Sequence, residues 1–387
     1  MTRIAIIGAG PAGLMAADQL SQAGMGVDVY DRMPSVARKF LMAGRGGLNL
    51  THSEPFERFT GRYGKAAPSL RTALDAFPPK ALRDWADALG AETFVGSSGR
   101  IFPKAMKASP LLRAWLVRLR DQGVTFHLRH DWQGWDDEQL VFAAPIGHLY
   151  VKPDVTVLAL GGASWPRLGG DGGWSAYLAD QGVELSPFQP ANAGFEVAWT
   201  ASFVERFAGT PLKNIALSFK GRAVKGEVMP TRYGLEGGAI YALGAPLRDA
   251  ITRDGHADLL IDLRPDLNAG QVASKLGRGA NKDSLSNRLR KTLNLSPAAI
   301  ALMHETQATD VKAVPVRLTA MQGLDRAISS AGGIRLEALT PDFELKARPR
   351  IYAIGEMLDW EAPTGGYLLQ ACFSTAVAAA RAILRNA

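Results

Sequence analysis

Residues 4–7 form a short apolar run that leads directly into Gly8-Ala9-Gly10-Pro11-Ala12-Gly13, and this junction restricts the possible folds more than any other part of the chain. The run Ile4-Ala5-Ile6-Ile7 is too short for a helix and too unbroken for a half-exposed strand, so it reads as a strand buried on both faces. Gly8 permits a tight turn, Gly10 lets the backbone approach a pyrophosphate, and Gly13 lets the next helix pack closely on the strand. Leu14–Ala23 reads as that helix and Gly26–Tyr30 as a second strand. Asp31 ends the second strand, 23 residues after Gly8, where a carboxylate accepts hydrogen bonds from ribose hydroxyls. Strand, turn, helix, strand and acid in this order predict a βαβ unit that binds a dinucleotide at its helix N-terminus.

Two later segments select FAD over NAD. Val157–Leu160 is an apolar strand ending in Gly161 and Gly162, where backbone again approaches a cofactor. Ile351–Ile354 repeats the pattern and ends in Gly355-Glu356, which places Glu356 to bind a ribityl hydroxyl. Thr364-Gly365-Gly366-Tyr367 then opens a small-residue helix from about Leu368 to Leu384. The N–H groups and positive dipole of such a helix suit the N1–C2=O edge of a flavin and the anion formed on its reduction. No second glycine fingerprint follows another βαβ pattern, so a dedicated nicotinamide domain is not expected. The hydride donor, expected to be NAD(P)H, either docks transiently at the flavin or is replaced by another electron source.

Between these segments, Arg38–His52 reads as a glycine-rich loop, followed by helical stretches near Leu70–Leu89 and Pro110–Gln122. The pattern changes after about Pro190. Gly194–Val197, Ile215–Phe219 and Arg222–Val228 alternate in the manner of an antiparallel sheet or barrel. Pro265–Thr309 is polar and helical, with cap signals at Ser284 and Ser296-Pro297, and Val314–Leu318 reads as a returning strand.

The motifs Gly8–Gly13 with Asp31, Arg38–Thr51, Gly99–Pro103, Gly161–Gly173, Thr231–Gly237, Gly355–Asp359 and Thr364–Tyr367 span most of the chain. Together they resemble the BaiN/RdsA-type NAD(P)/FAD-dependent oxidoreductases, within the glutathione-reductase-like FAD superfamily. The resemblance implies an α/β fold. A discontinuous, Rossmann-like FAD-binding domain would cover 1–190 and 331–387. An inserted β-rich, barrel-like domain would cover 191–330, with a small helical insert at about 265–310. It also implies reduction of polarised C=C bonds, in steroid enones or in a uracil ring of ribosomal RNA. The family's loop cysteine is missing from Arg45-Gly46-Gly47-Leu48-Asn49, which rules out thiol chemistry there, and the family's Thr-His pair is Thr231-Arg232. Both departures bear on the substrate rather than on flavin binding.

The candidate cofactor set is Gly8, Gly10, Pro11, Ala12, Gly13, Asp31, Arg32, Lys39, Gly44, Gly161, Gly162, Gly355, Glu356, Asp359, Gly365, Gly366 and Tyr367. His52 and Tyr367 are the candidate proton donors. His127 and His130 lack partner cysteines or acids, so they are taken as surface or strand residues and no metal site is expected. A single cysteine, Cys372, excludes an internal disulfide and fits packing in a small-residue helix. With no signal-like start and no 18-residue apolar run, the expectation is a cytoplasmic protein without a membrane span. The formal charge is +7. Lys275, Arg278, Lys282, Arg288, Arg290 and Lys291 concentrate basic charge in the helical insert, as a solvated face or a contact for ribosomal RNA. The rival functions are an RNA-associated flavoprotein without redox turnover and an FAD-dependent oxidase.

Overall fold

The structure is a computed structural model that describes residues 2–278 and 284–387. The chain forms two compact units, Met1–Gln189 with Ile328–Ala387, and Pro190–Ala327.

The first unit is built on a parallel sheet of β1 (Arg3–Ile7), β2 (Gly26–Asp31), β3 (Thr125–Leu128), β4 (Val155–Leu158) and β5 (Ile351–Ala353). Their order across the sheet is β5-β4-β1-β2-β3. Ile4 to Ile7 are almost wholly buried, as an apolar run in the middle of a two-faced sheet must be. The chain leaves β1 toward β2 on one side, while β4 lies on the other. Ligands of open α/β sheets bind outside the carboxyl ends of strands at such a switch point. Helix α1 (Pro11–Gln22) connects β1 to β2 and starts on Pro11, whose missing N–H would have no partner in a first turn anyway. On its buried side Asp18 accepts hydrogen bonds from the indoles of Trp85 and Trp115, at 2.9 and 3.1 Å.

Two local expectations change. The stretch near Leu70–Leu89 is two helices, Ala67–Ala76 and Pro79–Ala88. The break falls at Phe77-Pro78, and the Phe77 carbonyl accepts instead from Gln370 and Ser374. The segment expected as a loop from Arg38 begins with a short helix, Arg38–Ala43. The final helix α3 (Tyr367–Asn386) follows α2 (Ala108–Asp121) and is long and apolar enough to cross a membrane. It packs against α1 and Ala67–Ala76, and most of its apolar window is buried in this unit.

The second unit holds a six-stranded antiparallel sheet. Its order is Phe195–Glu196, Gly234–Glu236, Arg222–Pro230, Leu212–Phe219, Ala257–Asp262, Val314–Leu318. The sheet curls back on itself. Glu196 N–H donates to Ala320 O at 2.8 Å and Thr319 N–H donates to Glu196 O at 3.1 Å, so the first strand meets the chain leaving the last. Among the described residues, three helices follow the helical pattern of the insert: Ala269–Gly277, Leu285–Leu293 and Pro297–Glu305. Ser284 and Ser296 each accept from a first-turn N–H, as N-cap serines do. Lys275, Arg278, Arg290 and Lys291 are exposed, but Arg288 is half-buried and donates to Leu276 O at 3.3 Å. Arg288 therefore bridges two helices and does not belong to the exposed basic face. Lys282 lies outside the described residues.

Candidate functional site

The carboxyl ends of β1 and β4 open a cleft in the first unit with about 1540 Å³ of open volume, mouth included. Its floor is the glycine turn. Gly8 has φ +107°, and a Cβ there would overlap the Ala159 carbonyl; one on Gly13 would overlap the carbonyl of Gly8. Gly10 is different, because a Cβ on it would meet no protein atom within 4 Å. It caps α1 without any side-chain hydrogen bond, so the first-turn N–H groups are left for a ligand.

Asp31 lines the next part of the cleft. Its Oδ2 accepts from Ala9 N–H at 2.7 Å and its Oδ1 from Met33 N–H at 2.8 Å. Burial raises its pKa, against the opposing pull of these two N–H groups. Each carboxylate oxygen keeps a lone pair for a sugar hydroxyl. Arg32 is held by Asp171 and the Gly169 carbonyl, both at 2.7 Å. Farther along, Lys39 Nζ donates to Glu356 Oε2 at 2.9 Å and to Ser164 Oγ at 3.0 Å. Glu356 Oε1 accepts from Ser330 N–H at 3.2 Å. Gly365 and Gly366, with φ of +139° and +92°, bring the N-terminus of α3 to the cleft, again without a side-chain cap.

Of the candidate cofactor set, Gly8, Gly10, Pro11, Ala12, Asp31, Arg32, Lys39, Gly161, Glu356, Gly365 and Gly366 line this cleft. The others support its wall. Gly13 packs under the turn, and Gly44 abuts Ala108, 2.6 Å from where its Cβ would stand. Gly162 faces Ser330, and Gly355 lies against Ala12. Asp359 accepts from Gly332 N–H at 3.1 Å. A side chain on Gly366 would strike the backbone of Thr51, so substitution there disturbs the fold before it reports on a cofactor.

The two proton-donor candidates are not among the residues lining the cleft. His52 Nδ1 accepts from Glu54 N–H at 3.1 Å, which leaves Nε2 to donate to Ser98 O at 3.0 Å. Burial lowers its pKa, so the neutral ring is favoured. Tyr367 stacks on His52 with ring centroids 5.6 Å apart and donates its hydroxyl to Glu54. Burial raises the Tyr367 pKa, and Glu54 adds to the rise. Both groups thus belong to a bracing network completed by Arg62, which grips both Glu54 oxygens at 2.9 and 2.7 Å.

Burial works to raise the Glu54 pKa, but hydrogen bonds from Arg62 and Tyr367 outweigh it and hold the carboxylate below its usual range. A depressed carboxylate contributes stability above its unfolded pKa of about 4.3, and loses it as pH falls through the folded value. Glu54→Gln should therefore lower the melting temperature at pH 7, by the equivalent of about 1–3 kcal/mol. The gap from the parent protein should shrink toward pH 3. Thermal melts across this range, showing a constant gap, would refute the linkage.

Several lining residues were not expected from the sequence: Asn49, His130, Asp131, Trp132, Ile328 and Trp360. His130 N–H donates to Asp31 O at 3.0 Å, which ties the exit of β3 to the exit of β2. The available signal was the strand ending at Leu128, whose carboxyl end falls beside Asp31 in a parallel sheet. Arg38, Asn49 and Trp132, which line the cleft, each carry a buried polar atom (Nε, Oδ1 and Nε1) with no hydrogen-bond partner among the described residues. Buried polar groups in native proteins are normally satisfied. The open space at Gly10 and the uncapped N-terminus of α1 fit the pyrophosphate of a dinucleotide. Cys372 also borders the cleft, where burial pushes its thiol pKa up to about 12 and keeps it protonated.

In the second unit, the Tyr233 hydroxyl donates to Glu236, and burial raises the Tyr233 pKa. Arg232 is exposed.

A parallel sheet with a glycine turn, an acid at the end of β2 and a helix N-terminus after β5 defines a Rossmann-type flavoprotein of the FAD class. The chain belongs to the HI0933-like protein Rossmann domain family, whose model matches residues 2–382, and it is an FAD-dependent oxidoreductase. It is similar to a 3-dehydro-bile acid delta(4,6)-reductase of Clostridium scindens, with 26% identity over 99% of each chain. It is also similar to a ribosomal RNA dihydrouridine synthase of Escherichia coli, with 24% identity over 98% of this chain and 97% of that one. The solved 3-ketosteroid delta1-dehydrogenase of Sterolibacterium denitrificans shares the fold, with a TM-score of 0.57, 13% identity and full coverage of both chains.

Proposed function

We propose that the cleft holds FAD and that the protein uses NAD(P)H to reduce a C=C bond conjugated to a carbonyl. Full-length similarity to the bile acid reductase carries this reading. Reduced flavin, when bound, supplies hydride at N5. The substrate's C=C bond gains that hydride and one proton, and NAD(P)H restores the lost electrons as a second hydride. The chain's own groups bind and orient. The first-turn N–H groups after Gly10 hold the pyrophosphate, Asp31 the adenosine ribose, and Glu356, fixed by Lys39, the ribityl chain. The α3 N-terminus at Gly366 places N–H groups and a positive dipole where negative charge develops on reduction.

A uracil ring in RNA presents the same conjugated C=C–C=O unit. The dihydrouridine synthase relatives and the exposed cations Lys275, Arg278, Arg290 and Lys291 favour this second substrate.

The purified protein should be yellow and release FAD, not FMN, on heating. Under anaerobic conditions NADH or NADPH should bleach the flavin. A steroid enone or a ribosomal RNA fragment should then restore the colour and gain two hydrogens by mass. Flavin that neither nicotinamide reduces would defeat the reductase reading in favour of an RNA-associated flavoprotein. Rapid peroxide formation without an organic acceptor would defeat it in favour of an oxidase.

A further inference from the structure

A three-stranded antiparallel sheet in the first unit turns one face inward and one to solvent. Its strands are Thr51–His52, Arg100–Pro103 and Thr93–Val95, with Phe94 opposite Phe102 and His52 opposite Arg100. Thr51 and Ile101 share one face and are buried. On the other face Phe94 is 41% exposed, and Phe102, Arg100 and His52 are half-buried. The two phenyl rings lie 6.0 Å apart, tilted by 32°. Met106, also exposed, extends the apolar surface. Its Cε and the Phe102 ring both reach Gly47, 2.9 and 3.7 Å from where a Cβ would stand there. Single exposed apolar side chains are ordinary, but two facing aromatic rings with a methionine beside them make a contact patch.

The chain around this patch carries no acid. Neither segment 38–52 nor segment 93–107 contains Asp or Glu, although both contain lysine and arginine. Lys39 and Lys104 are paired with Glu356 and Glu92. Arg45, Arg100 and Lys107 form no ion pair among the described residues. Arg100 shares the solvent face with Phe102. Arg45 and Lys107 are exposed, and their segments run side by side: Leu48 N–H donates to Met106 O at 2.9 Å, and Gly44 packs on Ala108. A small apolar ligand would leave these charges unanswered. A single nucleic-acid strand answers both features, because its bases stack on aromatic rings and its phosphates meet cations. The sheet also touches the end of the cleft where α3 begins: His52 stacks on Tyr367, and Thr51 backbone abuts the cleft-lining Gly366. We infer that Phe94 and Phe102 form a stacking platform for bases of single-stranded RNA, with Arg45, Arg100 and Lys107 contacting its phosphates. The inference rests on the reading of RNA as a substrate.

The test measures binding of full-length, flavin-loaded protein to a single-stranded ribosomal RNA fragment, and to the same fragment annealed to its complement, by fluorescence anisotropy. Phe94→Ala should weaken the single strand about tenfold, the loss of one stacked base. The duplex, whose bases already stack on one another, should bind within twofold of the parent, and flavin content should not change. Single-strand affinity within twofold of the parent would overturn the inference, as would an equal loss on the duplex. So would a variant that binds RNA like the parent but has a raised KM for a steroid enone, which would give the platform to a small apolar substrate. A parent protein that binds neither RNA at low salt would instead defeat the RNA reading itself. Should Phe94→Ala fail to fold, Arg45→Glu with Lys107→Glu decides, because both side chains are exposed. The slope of log affinity against log salt should become shallower by roughly 1.4, for two single-strand phosphate contacts of about 0.7 each. An unchanged slope would overturn the inference.

Discussion

Gly10→Val should yield a folded protein without flavin, whereas Gly13→Val should not fold. Both glycines belong to one six-residue turn, but their surroundings differ. A Cβ at Gly10 enters open space above the helix N-terminus, so the protein itself has nothing to resist it. The valine would occupy the path of the pyrophosphate and break its contacts with the first-turn N–H groups. Each charge-assisted hydrogen bond lost there costs about 1.5–3 kcal/mol, so FAD affinity should fall at least about tenfold per contact. At Gly13 any Cβ overlaps the Gly8 carbonyl, and the only relief is to part α1 from β1 in the centre of the core. Overpacking against backbone costs upward of about 1–3 kcal/mol, and this site has no flexible side chain to give way. Circular dichroism and flavin content of the two purified variants separate the effects. A yellow Gly10→Val protein would remove the pyrophosphate from this turn.

Reversing charge at Lys275, Arg278 and Arg290 together should weaken binding to ribosomal RNA fragments while leaving flavin content intact. All three are exposed on the helices Ala269–Gly277 and Leu285–Leu293 or at their ends. Each phosphate contact to a single strand contributes about 0.7 to the slope of log affinity against log salt, so the triple variant should lose roughly 2 from that slope. Arg288 is left out, because its guanidinium holds the Leu276 carbonyl and its loss would confuse damage with binding. A salt series by fluorescence anisotropy reads the slope. A parent protein without affinity at low salt would remove the RNA reading and leave a small enone as the leading substrate.

The helical insert shows what was legible and what was not. Its N-caps at Ser284 and Ser296 were readable, because a cap is a contact between residues three apart. The inward turn of Arg288 was not, since its partner lies on another helix, across residues outside the described segments. Likewise, Pro78-Pro79 could have divided the helical stretch near Leu70–Leu89, yet the new partners of the Phe77 carbonyl come from α3, almost 300 residues away.

The sequence alone determined the dinucleotide turn, the buried strands and the switch from a parallel to an antiparallel pattern near Pro190, because these follow from local sterics and side-chain periodicity. A glycine with φ +107° and a run of four buried apolar residues constrain their own neighbourhood wherever the chain goes. Tertiary structure decided which polar groups face the cleft. His52 and Tyr367 carry the right chemistry, but packing commits their polar atoms to Ser98 and Glu54. Trp132 lies in no motif, Asn49 lies in the Arg38–Thr51 motif with no role read for it, and only the parallel register of β2 with β3 and the fold of the Arg38–His52 segment bring the two residues to the cleft. Hydrogen-bond satisfaction depends on every neighbour a side chain meets, and most of those neighbours are far away in sequence.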